Sequence, residues 1–129
     1  MIGHPEFLQI LRDEFPEFRD ELEQWAEINY PDHLLMMELY VFFEDAVANS
    51  DWARVARSLS VLDRVFKEAD KPIKNVVYVS FLENIDLSQP SSAPIIKLMS
   101  PALLRGHGEI DSYMMESGVR QKSYRPLSE

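Results

Sequence analysis

The chain of 129 residues is 46% hydrophobic with only 4 glycines, enough apolar surface for one packed domain and too much for a disordered chain. It has no cysteine, which excludes disulfides and thiolate metal sites and fits a reducing, cytoplasmic setting. Its net charge of −9 is uneven: residues 1–51 hold 13 acids against 2 bases and residues 52–129 hold 9 acids against 11 bases, so the first part repels nucleic acid and anionic membrane.

Met1–Glu6 lacks the basic and apolar regions of a signal peptide. A first helix opens at Pro5, with Phe7, Leu8, Leu11 and Phe15 at helical spacing. Pro16 breaks it and starts a second, in which Phe18, Leu22, Trp25 and Asn29 line one side and Glu17, Asp20, Glu21, Gln24 and Glu27 the other. Asn29-Tyr30-Pro31-Asp32 reads as a turn, with Asp32 as N-cap of a third helix over 33–48. That helix is apolar nearly all round, which predicts a place in the middle of a bundle; its unbroken runs, Leu34–Met37 and Leu39–Phe43, are far too short for a bilayer.

Asn49-Ser50-Asp51 ends the third helix and caps a fourth, where Trp52, Val55, Leu59, Leu62 and Phe66 form the buried stripe and Arg54, Arg57, Arg64 and Lys67 the exposed face. Residues 73–84 are ambiguous. Val76–Phe81 has strand propensity, yet Ile73, Val77 and Phe81 keep helical spacing among helical neighbours, and a buried helix is expected. Residues 86–94 read as loop, 95–99 as a short helix, and Ser100-Pro101 as the cap and first position of a last helix reaching about Glu116. The expectation is an all-α, irregular bundle of six to seven helices arranged as antiparallel pairs over residues 1–117, followed by a loose basic tail over 118–129.

A search for chemistry finds little. His4, His33 and His107 are far apart, and no zinc-binding helix motif, nucleophile elbow or phosphate loop occurs, so no metal, cofactor or catalytic set is expected. The most site-like string is Arg105-Gly106-His107-Gly108-Glu109-Ile110-Asp111. It reads either as a buried histidine on the apolar stripe or as a small catalytic centre with Glu109 or Asp111 as partner. Trp25 and Trp52 both fall on apolar stripes and are expected in the core.

The second helix concentrates like charges at i, i+3 and i+4, a mutual repulsion of a few tenths of a kcal/mol per pair. Three readings fit this. The face is simply solvated; or it is covered from within by Arg57, Arg64 and Lys67 or by Arg120, Lys122 and Arg125 of the tail; or it docks a basic partner.

The stretch Val76–Ile85, followed by Ile96–Leu104, resembles a family of small uncharacterised bacterial helical proteins over the C-terminal half. In size, acidity and helicity the chain is also similar to immunity proteins of bacterial polymorphic and contact-dependent toxin systems. That resemblance implies a non-enzymatic protein that binds and neutralises a basic toxin domain. With the acidic concentration it designates Glu17, Asp20, Glu21, Glu27 and Asp32 as the partner-binding residues. Nucleic acid and membrane are not expected as partners. Oligomeric state stays open, with Tyr113, Met114 and Met115 as the apolar surface through which a structural homo-oligomer would form.

Overall fold

Five short signals start and stop the helices. Asp51 accepts from the Arg54 amide, Asp70 from the Ile73 amide and Ser100 Oγ from the Leu103 amide, each satisfying a helix-start N–H that has no partner within its helix. At the other ends, Asn29 and Ser50 take left-handed backbone angles, φ 54° and 53°. There the next amide reaches back five residues, Tyr30 to the Trp25 carbonyl and Asp51 to the Ala46 carbonyl, both at 2.8 Å.

The computed structural model describes the backbone of residues 1–116 and the side chains of residues 1–109. Seven α-helices result: α1 (His4–Glu14), α2 (Arg19–Glu27), α3 (Asp32–Ala48), α4 (Trp52–Glu68), α5 (Lys71–Ser80), α6 (Ala93–Leu98) and α7 (Pro101–Glu116). Short 3-10 turns cover Pro16–Phe18, Leu82–Asn84 and Pro90–Ser92. The all-α bundle expected from the periodicities is what forms, and no β-sheet occurs among the described residues. The basic tail expected over 118–129 lies outside the described residues.

α3, α4 and α5 pack on one another as the centre, with α1 and α2 on one side and α6 and α7 on the other. The ambiguous stretch is α5, continued by the turn at Leu82. A strand would have placed Val77, Val79 and Phe81 on one face, yet Val77 and Phe81 are fully buried while Val79 is 49% exposed. Helical spacing, with Ile73 buried four residues before Val77, decided against local strand propensity.

Two expectations about burial fail. α3 buries Leu35, Met36, Leu39, Phe43 and Ala46 but leaves Met37 and Val41, one turn apart, 47% and 60% exposed. It is packed on α4 and α5 and open on its remaining side, not enclosed. Trp52 belongs to the stripe of α4 by spacing, but it is the first residue of that helix and 36% exposed, because the stripe begins where the bundle has already ended. Trp25, by contrast, is buried and stacks on Tyr30 at 5.6 Å.

The first residues are tied down. The Ile2 amide donates to the Glu68 carbonyl at 2.8 Å and the Asp70 amide to the Ile2 carbonyl at 2.9 Å, a single parallel bridge at the α4–α5 junction. Among the described residues, no helix is long and apolar enough to cross a membrane.

Candidate functional site: the acidic face of the second helix

Phe18, Leu22 and Trp25 fix the roll of α2 by burying one side of it. Asn29, expected on the same stripe, is exposed, because the left-handed turn has already left the helix there. The opposite side carries Asp20, Glu21, Glu23, Gln24 and Glu27, all exposed, and ends on Ile28 at 67% exposure. None of the four acids makes an ion pair among the described residues.

Glu17 differs from its neighbours. Arg57 Nη1 donates to both of its carboxylate oxygens, at 2.7 and 2.9 Å, and also reaches the Glu14 carbonyl; Arg54 Nε stands 3.6 Å away. Both guanidiniums lie over aromatic rings, Arg54 over Phe42 at 5.6 Å and Arg57 over Phe15 at 5.7 Å. Beneath them Phe15, Phe18 and Phe42 meet at 5.4 Å ring spacings. Burial pushes the Glu17 carboxyl up, but the hydrogen bond and charge of Arg57, helped by Arg54, outweigh it and leave the group below its ordinary value. Arg54 and Arg57 are therefore not the outer face of α4, as expected, but a half-buried roof over an aromatic cluster. Glu17 is part of that roof.

Asp32 is the second candidate with an internal role. Pro31 occupies the N-cap position, so Asp32 is the first helical residue and not the cap. Its carboxylate accepts from His4 Nδ1 at 2.5 Å, joining the starts of α1 and α3. A groove of about 520 Å³ surrounds the pair, walled by Asn29, Pro31 and His33 and by Pro72 and Val76 of α5. No group of three acids and histidines with a metal-holding arrangement occurs among the described residues.

The sequence-designated set thus splits. Asp20, Glu21 and Glu27 stay together on the open face of α2, joined by Glu23, while Glu17 and Asp32 hold elements to one another. Glu23 belongs to the same face, three residues after Asp20 and four before Glu27, and the helical spacing that designated its neighbours selects it as well.

His107, the centre of the alternative reading, is 1% exposed, and its Nε2 donates to the Ile85 carbonyl at 2.7 Å. It serves the core. Its two glycines are unlike. A Cβ at Gly106 would stand 2.9 Å from Phe66 Cζ, so that glycine lets α7 lie against α4; at Gly108 a Cβ would meet nothing within 4 Å. Glu109 Oε2 accepts from the Tyr78 hydroxyl at 3.0 Å, and the side chains of Asp111, Tyr113, Met114 and Met115 lie outside the described ones.

Comparison with curated proteins and with solved structures returned no match. A family profile matches residues 8–114, well beyond the C-terminal half and across the acidic α2, and the chain belongs to that family, described as Domain of unknown function (DUF7674).

Proposed function

We propose that the chain is a binding protein that docks a basic protein partner on the outer face of α2, in the manner of an immunity protein that neutralises a toxin domain. The observation that carries this reading is the set Asp20, Glu21, Glu23 and Glu27, exposed and without an ion pair among the described residues, beside the exposed Ile28. Four like charges on nine residues cost helix stability, and Glu17, one turn earlier, has the arginine partners they lack. An acidic face with an exposed apolar side chain at its end suits a basic surface that offers an apolar contact beside its charges. The charges would speed encounter and mimic the anionic substrate of a nucleic-acid-directed toxin.

The test is recovery of the partner from native cells, followed by stopped-flow association at several salt concentrations. Replacing Asp20, Glu21 and Glu27 together by Lys should slow association about tenfold at low salt and flatten its salt dependence. An unchanged rate and salt slope, or a partner without a basic surface, would remove the proposal.

A further inference from the structure

On the far side of the bundle from α2, three helices contribute one cation each to a recess of about 300 Å³: Lys67 from α4, Lys74 from α5 and Arg105 from α7. The convergence is unexpected in a chain of net charge −9. It is also incompletely neutralised. Lys67 Nζ pairs with Asp63 at 3.0 Å, one turn back on its own helix. Lys74 Nζ lies 5.1 Å from the centre of the Phe66 ring and makes no ion pair among the described residues, and neither does Arg105.

The walls are built as well as charged. Phe66 and Tyr78 meet edge to face at 5.2 Å, and the close approach at Gly106 sets α7 against them. Glu109 is the acid of the lining, and it is engaged by the Tyr78 hydroxyl. Burial, then the hydrogen bond and charge of Glu109, push that hydroxyl above its ordinary value, so it stays protonated and keeps the carboxylate turned toward Tyr78.

The geometry points to this recess as a binding site for a phosphoryl group carried on a small ligand. With Lys67 answered by Asp63 and Glu109 the acid of the lining, a net single positive charge remains, carried by two cations without an ion pair among the described residues, Lys74 and Arg105, and a phosphoryl group has oxygens enough to take both at once. A guanidinium fork set among ammonium point charges is the usual donor set for phosphate oxygens. Such a site is independent of the acidic face of α2 and survives if the proposed partner docking fails.

The test is titration calorimetry on the full chain with pyrophosphate, with inorganic phosphate and, at matched ionic strength, with acetate. Pyrophosphate and phosphate should bind saturably and acetate should not. Lys74→Ala and Arg105→Ala should each weaken pyrophosphate binding about fivefold or more, the loss of one charge-assisted contact. Both residues are exposed, so unchanged far-UV spectra and melting would accompany the loss. Lys97→Ala, on exposed α6 and not in the lining, should change nothing. Glu109→Gln should tighten binding, an outcome that general damage to the fold does not produce. Absence of saturable binding, equal binding of acetate, or a Lys97→Ala effect as large as that of Arg105→Ala would overturn the site.

Discussion

The acidic side of the molecule and its basic recess treat charge in opposite ways. Around α1 and α2 the chain brings in Arg54 and Arg57 from α4, and these settle over Phe15 and Phe42 and fasten Glu17. Around α7, Lys74 and Arg105 converge with little to neutralise them. Counting charges by sequence half therefore misleads. Two of the cations counted for the second part act within the first, which leaves a patch of acids on α2, while Lys74 and Arg105 meet between α5 and α7. Charge that holds the fold together is paired, as in Arg57 with Glu17 and His4 with Asp32; the acids of α2 are left to solvent.

The aromatic cluster under the arginine roof is where this contrast breaks most sharply. Phe15 is fully buried against Phe18 and Phe42, and Phe15→Ala should cost about 3–5 kcal/mol in chemical denaturation, the range for truncating a buried phenylalanine. A loss below 1 kcal/mol would mean that the cluster is not a structural centre. The roof itself is smaller in effect. Arg57→Ala should cost about 1 kcal/mol, since the side chain is one-third exposed and solvent screens part of the pair. A double-mutant cycle with Glu17→Gln should recover most of that as coupling.

The same pair carries an acid dependence. Because the folded Glu17 carboxyl titrates below its ordinary value of 4.5, its contribution is present in full above that value. It is lost as pH falls through the lower, folded value. Stability measured between neutral pH and strong acid should therefore fall less steeply in Glu17→Gln than in the parent chain.

On the other side, the two glycines of α7 should respond with opposite signs. Gly108→Ala should stabilise by about 1 kcal/mol, since an exposed helical glycine with open space gains from a methyl group. Gly106→Ala has the same gain in helix propensity but drives a methyl into Phe66, and should be net destabilising by about 1 kcal/mol. It should also weaken pyrophosphate binding by displacing the recess wall. Equal effects of the two would mean that the close approach of α7 to α4 is not a constraint.

The smallest effect lies at the turn between α3 and α4, at the end of α4 that carries Arg54. Ser50 has φ 53°, and Ser50→Gly should stabilise by about 0.5–1 kcal/mol by removing the left-handed penalty. Thermal denaturation that shows a loss would indicate that the serine side chain compensates for its backbone.

Much of the fold was legible because the helices bury stripes with clear periods. Phe18, Leu22 and Trp25, or Ile73, Val77 and Phe81, announce their own orientation. The candidate site was half legible. Asp20 and Glu17 are equivalent on a helical projection, and only the arrival of Arg57 from forty residues away separates them. Asp32 had the composition of a cap, but His4 offered its carboxylate a partner at the start of α1. The basic recess was not legible at all, because Lys67, Lys74 and Arg105 belong to three helices and each alone looks like ordinary solvated surface.

Trp52 and Trp25 give the protein two optical reporters with different access. Trp25 is enclosed against Tyr30 beneath the acidic helix, whereas Trp52 opens to solvent at the start of α4. A neutral collisional quencher such as acrylamide would reach Trp52 first and leave a bluer, shielded emission from Trp25. Partner arrival on α2 would then register chiefly in the shielded component, and a loosening of α4 in the accessible one. A single spectrum could thus tell docking from unfolding without a label.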